Sequence, residues 1–416
     1  MMTNESKAPI GQGVGGDKVR VEVTTEENRV NDQVLEVLAA DPDLYCRGAR
    51  LVVFHEGERQ GKADQGQGQG QGPGITLLTA AGLRERITAR VELYRVRRGR
   101  EGQEETRLVH PPDWCVAAIL DRGRHAGFRR LDGVIEAPTL RRDGSVLDQP
   151  GYDPQTRLVL LPNIQIDPVL DMPRRDEAEF AADYLLDLVS DFPFRGEVDR
   201  ILWLTALLTV LGRPSFEGPA PLFGFDSNCP GTGKTLLADL IGVIAQGRPI
   251  ARTTCPAGPR GDEEMRKRIT SLALSGERIT LLDNIDEPLG GAALDAALTA
   301  TVWRDRGLGR SEMTPELPMT MVWLASGNNL RFRGDLTRRV LVSRIEADVE
   351  APERRQGFRI PNLLAHAAYH RPCLLACGLR ILRAHHVAGA PALKSPLGSF
   401  EGWSRRVASA VAWATG

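Results

Sequence analysis

One segment of the chain combines glycines, a lysine and a hydroxyl residue at a spacing suited to holding a polyphosphate. It reads Asp-Ser-Asn-Cys-Pro-Gly-Thr-Gly-Lys-Thr-Leu-Leu at positions 226–237, between two apolar stretches. Gly231 and Gly233 allow backbone N–H groups to approach an anion, and the dipole of a following helix adds to the attraction. This spacing predicts that Lys234 reaches the β- and γ-phosphates of ATP and that the Thr235 hydroxyl binds Mg²⁺.

The loop departs from the usual pattern at one position. The pattern has glycine six residues before the lysine, where this chain has Asn228. Asparagine tolerates left-handed backbone better than most residues, so we expect the loop to close with Asn228 in the place of that glycine. The predicted nucleotide-binding set is Asn228, Pro230, Gly231, Thr232, Gly233, Lys234, Thr235 and Leu236.

A carboxylate suited to the metal follows a second apolar strand. The run Ile279-Thr-Leu-Leu ends at Asp283, and in P-loop proteins an acid at this place holds Mg²⁺ through water. The alternative is an aspartate that only caps the next turn. The residue after this acid is usually a glutamate that activates water, and here it is Asn284. We expect Asp286 or Glu287 to supply that carboxylate from the following turn.

Amides and arginines follow the next two apolar strands. Thr320–Ser326 leads into Asn328 and Asn329, and an amide at such a strand tip predicts a group that reads the γ-phosphate and orients water. Arg338 and Arg339 precede the last strand, where an arginine can point across a subunit boundary at a neighbour's γ-phosphate. The alternatives are a polar turn for the asparagines and a solvated helix end for the arginines.

The elements that must position these residues form an α/β pattern. Short apolar strands alternate with helices between residues 219 and 347, which predicts a parallel sheet covered on both faces. The predicted strands are Leu222–Phe225, Ile250–Thr254, Ile279–Asp283, Thr320–Ser326 and Val340–Ile345.

Pattern changes along the chain suggest five segments. The Gln-Gly repeats near the middle of the N-terminal half have nothing to bury, so they predict a flexible loop at 61–74. The predicted segments are a disordered leader at 1–24, an α+β N-terminal domain at 25–170, a helical linker at 171–215, an ATPase core at 216–350 and a helical C-terminal region at 351–416.

Composition limits the class of protein. The 416 residues carry a net charge of −1, so any contact with DNA must come from local basic clusters or from several subunits lining a channel. The six cysteines lack the spacing of a disulfide framework or zinc ribbon, which fits a reducing cytoplasm. Without a signal peptide or an apolar run long enough to span a bilayer, the chain is expected to be cytoplasmic, with no membrane partner.

With these motifs in place, the chain resembles superfamily 3 helicases and the AAA+ ATPase half of phage and plasmid primase–helicases. The resemblance implies a P-loop AAA+ (ASCE) core with parallel sheet order 5-1-4-3-2, and a ring, typically hexameric, that hydrolyses ATP between its subunits. It also implies that a hairpin between Asp283 and the asparagines touches DNA, which makes Arg306 and Arg310 candidate DNA contacts. The residues that carry it are Gly231–Thr235, Asp283, Gly327-Asn-Asn, Arg338-Arg339 and, less specifically, Trp303–Arg310, Gly133–Pro162 and Gly398–Trp403.

Two functions remain open at this point. The first is an ATP-dependent DNA helicase or translocase that acts on single-stranded DNA or a fork during replication of a phage or mobile element. No primase motif is present before residue 200, so a primase would be a separate partner. The second is an AAA+ switch, such as a helicase loader or scaffold, with slow hydrolysis, and Asn284 favours it. A protein-remodelling ATPase is disfavoured because Cys255–Asp262 lacks an aromatic pore loop.

Overall fold

The computed structural model describes residues 18–57, 72–98, 103–123, 125–258, 260–306, 313–348 and 352–416. Arg310, most of the predicted leader and most of the predicted Gln-Gly loop lie outside these residues. The chain divides into two compact units, one of Met1–Val53 and Leu77–Arg129 and one of Phe54–Thr76 and Arg130–Gly416. The five segment boundaries drawn from the sequence stay predictions.

A helix with one apolar face organises the first unit. Val30, Val34 and Leu38 recur at helical spacing and are buried with the strand residues Val21 and Leu93. The first elements along the chain are β1 (Val19–Glu22), α1 (Glu27–Ala39), β2 (Tyr45–Arg47), β3 (Arg50–His55), β4 (Gly74–Leu77), α2 (Ala80–Arg90), β5 (Val91–Arg98), β6 (Glu104–Leu108) and α3 (Asp113–Asp121). All belong to this unit except the last two residues of β3 and the first three of β4, which belong to the second unit. In the sheet, β1 pairs parallel with β5, and β5 pairs antiparallel with β6.

The second unit begins with short strands and two helices. A tight hairpin turns at Gly144, whose φ of +81° suits glycine, and joins two strands in which Thr139 faces Leu147. The elements are β7 (Gly133–Ile135), β8 (Thr139–Leu140), β9 (Val146–Leu147), β10 (Gly151–Asp153), β11 (Leu158–Leu160), α4 (Arg175–Asp187) and α5 (Glu197–Leu211).

A five-stranded parallel sheet forms the centre of the second unit, which confirms that part of the prediction. Its elements are β12 (Leu222–Ser227), α6 (Lys234–Gln246), β13 (Arg252–Thr254), α7 (Gly261–Ser275), β14 (Ile279–Ile285), α8 (Ala292–Ala297), β15 (Val302–Trp303), β16 (Leu317–Pro318), β17 (Val322–Asn328) and β18 (Val340–Ile345). Neighbouring strands run β13-β14-β17-β12-β18, and each pair is parallel. Numbered along the chain from the other edge, this order is 5-1-4-3-2. Because the strands are parallel, their carboxyl ends lie at one edge of the sheet.

The two faces of this sheet bury different residues. Leu281 and Leu324 pack in a core with α5, α6 and the C-terminal helices, whereas Leu282 and Trp323 pack in a second core with α7 and α8. Alternation along each strand produces this division. Trp203 of α5 is fully buried and donates its Nε1–H to Leu237 O at 3.1 Å, so truncating it would cost about 3–5 kcal/mol.

Helices complete the second unit. They are α9 (Leu363–Tyr369), α10 (Arg371–Val387), α11 (Glu401–Trp403) and α12 (Ser409–Thr415), and a π-helical turn at Ser404–Ala408 joins the last two. The segment at 352–361 connects β18 to α9 and is called the strap below. None of the helices in the described residues is long and apolar enough to cross a membrane.

Candidate functional site

The glycine-rich loop joins the carboxyl end of β12 to the first turn of α6. Gly231 and Gly233 have φ of +77° and +93°, and Gly233 caps the helix in a left-handed conformation. A Cβ added to Gly233 would lie 2.8 Å from Cε1 of Phe192. Both the backbone angle and this close approach therefore require glycine at position 233.

Two polar side chains of the loop have no partner in the described part of the chain. Thr232 Oγ1 is buried without a hydrogen bond, and Lys234 is buried at the start of α6 without an ion pair. Burial lowers the pKa of the Lys234 ammonium, and the nearby carboxylates of Asp283 and Asp226 oppose that shift. An unpaired buried cation beside an unpaired hydroxyl is costly unless something with negative charge satisfies them.

Asn228 acts differently from the sequence expectation. It is not among the residues with positive φ, so the idea that it takes the left-handed backbone of a glycine is wrong. Its side chain instead bonds the backbone of Ala347 twice: Nδ2 donates to Ala347 O at 2.9 Å, and Oδ1 accepts from Ala347 N–H at 3.1 Å. This pair of bonds, called the Asn228 clamp below, ties the loop to the chain just after β18.

The structure brings Thr235 and Asp283 together, as their predicted shared role requires. Thr235 Oγ1 lies 3.1 Å from Asp283 Oδ1, and the hydroxyl of Ser326 on β17 donates to the same oxygen. The other oxygen, Oδ2, lies 3.5 Å from Nε of Arg252. Asp283 is thus oriented by hydroxyls from the helix α6 and from the neighbouring strand β17.

Two charged residues near Asp283 were not predicted. Arg252, the first residue of β13, also places Nη2 3.2 Å from Oδ2 of Asp239 on α6. Burial raises the pKa of Asp239, and the Arg252 guanidinium opposes that shift. Asp239 is four residues after Thr235 and so shares its helix face, a signal that was present in the sequence. The pairing with Arg252 depends on strand β13 lying beside β14, for which the sequence carries no local signal.

The position after Asp283 has a special backbone. Asn284 has φ of +54° and lies where the pairing of β14 with β17 shifts register, as in a β-bulge. Asparagine tolerates this left-handed conformation far better than glutamate does. The candidate bases Asp286 and Glu287 are exposed after the strand and interact electrostatically with Cys255, which follows β13. They therefore lie at the carboxyl edge of the sheet, but no contact with the glycine-rich loop is formed in the described residues.

The two asparagines after β17 differ in their bonding. Asn329 has φ of +50°, accepts from Arg344 Nη2 at 3.3 Å and donates to Asn228 O at 3.4 Å. Asn328 Oδ1 lies 3.0 Å from Ser227 Oγ, and its amide nitrogen makes no hydrogen bond within the described ranges. Both the oxygen and the nitrogen of the Asn329 side chain are therefore hydrogen-bonded. The side-chain N–H group of Asn328, at the tip of β17, has no hydrogen-bond partner among the described residues.

The two predicted finger arginines also differ. Arg339 donates to Asp295 O at 2.6 Å, pairs with Asp335 at 3.1 Å and is 11% exposed. Arg338 is 67% exposed and pairs with Asp335 alone, at 3.1 Å. In the parts of the chain that are described, neither contacts the glycine-rich loop of its own chain. Arg339 is held in place by α8, and Arg338 projects into solvent.

A two-stranded ribbon lies between β14 and β17 in the sequence. Val302 pairs with Pro318, Trp303 pairs with Leu317, and Arg306 forms a bridge with Met313. Trp303 Nε1 donates to Thr270 Oγ1 at 2.9 Å, which anchors the ribbon on α7. Arg306 is exposed toward the distal end, and residues 307–312, which include the candidate Arg310, are outside the described part.

A cavity of about 560 Å³ opens beside Gly231 and Gly233. Its volume and largely apolar wall are typical of sites that bind small organic molecules. The strap forms one side: Asp191 Oδ2 accepts the N–H groups of Arg359 and Ile360, and Arg355 donates to Asp191 O at 2.6 Å. Apolar residues in the wall are Leu188, Phe192, Pro193, Leu236, Phe358, Ile360, Pro361 and Leu363.

Glu353 of the strap lies against the glycine-rich loop. A Cβ added to Gly231 would be 2.8 Å from Oε2 of Glu353 and 3.2 Å from its Cβ. A carboxylate therefore borders the part of the loop that is suited to an anion.

Comparison with known proteins adds structural neighbours of low similarity. No family model matches the chain, and no curated protein matches it significantly. The apo structure of the NrS-1 C terminal region is similar at 14% identity with a TM-score of 0.36, over 66% of this chain and 62% of that one. The JCV helicase is similar at 13% identity with a TM-score of 0.22, over 58% of this chain and 67% of that one. The chain thus spans less than two thirds of that NrS-1 structure.

Proposed function

We propose that this chain is an ATP-driven P-loop motor of the AAA+ type that acts as a DNA helicase or translocase in the replication of a phage or mobile element. The observation that carries the proposal is the hydrogen bond between Thr235 and Asp283, beneath a glycine loop whose Lys234 is unpaired. A hydroxyl and a carboxylate joined at the foot of an anion cradle are the groups that a magnesium–nucleotide complex requires.

The residues present fit ATP and Mg²⁺. The unpaired Thr232 hydroxyl and the Lys234 ammonium are suited to phosphate oxygens, and Gly231 and Gly233 supply the positive φ that a phosphate-binding loop uses. Oxygen atoms of Thr235 and Asp283 are the hard ligands that Mg²⁺ prefers. The adjoining cavity of about 560 Å³ is large enough for a nucleoside.

Each side chain then has a distinct task in hydrolysis. Bound Mg²⁺ would supply positive charge that offsets the phosphates and fixes their orientation. Lys234 adds a second positive charge next to the phosphates, where it would stabilise the negative charge that develops during hydrolysis. The free amide of Asn328 is suited to orienting a water molecule, and Asp286 or Glu287 is the candidate to accept its proton.

A ring of subunits accounts for the position of Arg338. This arginine is exposed and, in the described residues, makes no hydrogen bond or ion pair with its own loop, so it is available to a nucleotide held by a neighbouring copy. Arg339 instead acts as an anchor, because its bonds to Asp295 and Asp335 hold the turn in which Arg338 lies. We therefore assign the finger role to Arg338 and propose a homo-oligomer, with a hexamer as the expected form.

The ribbon at 302–318 is the proposed DNA contact. It is anchored by Trp303 and presents the exposed cation of Arg306 away from that anchor. The formal charges of residues 302–318 cancel, with three arginines against three acidic residues, so the proposed DNA contact rests on the exposed Arg306, which six ribbons in a ring would each present to a channel. Single-stranded DNA or a fork is thus the proposed partner, together with a separate primase.

One observation favours a second function, an ATP-binding switch with slow hydrolysis. The left-handed backbone at Asn284 disfavours a glutamate at the position that usually activates water. If neither Asp286 nor Glu287 reaches the site, the chain would bind ATP tightly and turn it over slowly, as a loader or scaffold does.

The test is an ATPase assay with and without single-stranded DNA, run beside a fork-unwinding assay. We expect stimulation by DNA, and a fall of at least about 100-fold in hydrolysis for Lys234→Ala. Lys267→Ala is the matched control, because Lys267 lies on α7 and pairs with Glu263 and Glu264. Tight ATP binding with negligible turnover would support the switch instead. Absence of ATP binding would refute both functions.

A further inference from the structure

One arginine bridges two carboxylates beside the proposed metal site. Arg252 lies 3.5 Å from Asp283 through Nε and 3.2 Å from Asp239 through Nη2. Asp239 is on α6, one turn beyond Thr235, so the three charged groups come from β13, β14 and the helix that follows the glycine-rich loop. None of the sequence motifs assigns a role to Arg252 or to Asp239.

Arg252 contacts only one of the two carboxylate oxygens of Asp283. Its Oδ1 already accepts from the hydroxyls of Thr235 and Ser326. Oδ2 is the oxygen that faces Arg252. A carboxylate that holds a cation directly or through water must offer an oxygen to it. The guanidinium therefore lies beside the oxygen of Asp283 that neither hydroxyl engages, one residue contact away from the proposed ligand Thr235.

The exposure of Arg252 and Asp239 favours replacement of the guanidinium by a cation at Asp283. The Arg252 side chain is 54% exposed, whereas that of Asp239 is 8% exposed. Because the guanidinium is 54% exposed, it stays hydrated when it leaves Asp283, and the move gives up only the 3.5 Å contact with Oδ2. A buried carboxylate such as that of Asp239 stays where it is, and it keeps Arg252 within reach of the site.

We propose that Arg252 is a positioning residue that competes with the divalent cation for Asp283, and that Asp239 sets how strongly it competes. This inference rests on the proposed function and adds a determinant of its metal dependence. Arg252 supplies the positive charge that keeps two neighbouring carboxylates together. A divalent cation supplies that charge in its place, and the guanidinium then pairs with Asp239 alone.

The proposal predicts opposite shifts for two substitutions. Arg252→Gln removes the competing charge, so the Mg²⁺ concentration that half-saturates nucleotide binding should fall by roughly two- to tenfold. Asp239→Asn removes the second carboxylate and leaves the guanidinium free to pair with Asp283, so this concentration should rise by a similar factor. Arg252→Lys keeps one positive charge without the two-pronged geometry and should give a smaller fall than Arg252→Gln.

The experiment measures binding of a fluorescent, non-hydrolysable ATP analogue to the full chain as MgCl₂ is titrated, and melting temperature without nucleotide reports folding. Arg266→Gln is the matched control: Arg266 is 51% exposed and lies 3.7 Å from the 12% exposed Asp305, away from the glycine-rich loop. It should leave the half-saturating Mg²⁺ concentration unchanged.

The outcomes separate this inference from the proposed function. If Arg252→Gln leaves the half-saturating Mg²⁺ concentration unchanged or raises it, Arg252 does not compete for Asp283. If Arg252→Gln fails to fold, the direction of the Asp239→Asn shift decides, and an unchanged or lower value overturns the proposal. If the wild-type chain itself binds no nucleotide, the proposed function fails and the inference fails with it.

Discussion

Replacing Asn228 with glycine would bring the loop closer to the usual P-loop pattern, and we nevertheless expect it to weaken nucleotide binding. The substitution removes both bonds of the Asn228 clamp, at 2.9 Å and 3.1 Å from the backbone of Ala347. A net hydrogen bond contributes about 0.5–1.5 kcal/mol, and an exposed asparagine lies at the lower end of that range. The clamp is therefore worth roughly 1–2 kcal/mol.

The free energy of the Asn228 clamp affects nucleotide binding through the strap. Ala347 precedes the strap, which forms one wall of the cavity beside Gly231. If the clamp loosens, a smaller fraction of molecules presents a formed wall, and the apparent affinity falls by that fraction. A loss of about 1–2 kcal/mol sets an upper limit of roughly 5–30-fold on the rise in dissociation constant.

Two measurements test this reasoning. Titration with a fluorescent ATP analogue gives the affinity, and hydrogen exchange of the peptide that contains Ala347 reports the clamp directly. Asn228→Asp should give intermediate protection, because one carboxylate oxygen still accepts the Ala347 N–H while the other replaces the donor and faces the Ala347 carbonyl oxygen. Wild-type affinity together with unchanged protection of Ala347 in Asn228→Gly would refute the role of the clamp.

Three further predictions follow from the same site. Glu353→Gln removes a negative charge next to Gly231 and should tighten ATP binding by about two- to fivefold at low salt, an effect that titration in high salt should abolish. Asn284→Glu should destabilise the protein by roughly 1–2 kcal/mol because of its φ of +54°, whereas Asn284→Gly should not; equal melting temperatures for the three proteins would contradict this. Arg338→Ala should lower ATP hydrolysis by the assembled ring on the order of 10³-fold without changing the melting temperature. Arg339→Ala should instead lower the melting temperature, because Arg339 is bonded to Asp295. Identical effects of the two substitutions would disprove this division of roles.

Local patterns are sufficient to locate the glycine-rich loop and the carboxylate that bonds to its threonine. The spacing of Gly231, Gly233 and Lys234 encodes a strand–loop–helix turn within a few residues, and an apolar strand that ends in Asp283 is similarly local. Parallel pairing then places the carboxyl ends of the strands at one edge, which is why Thr235 and Asp283 meet. Their functional roles, like those of Asn328 and Arg338, stay predictions.

Contacts between distant segments could not be read in the same way. Asn228 was interpreted through backbone preference alone, since nothing in the sequence shows that Ala347 would lie beside it. Arg252 likewise gains its two carboxylate partners only because β13 is next to β14 in the sheet. The exposed Arg338 and the anchored Arg339 are adjacent in sequence, and only the position of α8 distinguishes them.

The strap is also the covalent connection between β18 and α9. Its attachments to Asp191 and its proximity to Gly231 mean that a molecule filling the cavity presses on the same ten residues that lead into the C-terminal helices. In the proposed ATP-bound state, the strap would thus connect the cavity to α9 and α10 by a short route that does not pass through the sheet. In a ring of subunits, filling or emptying one cavity would then change the orientation of the C-terminal helices and of the surface that they form.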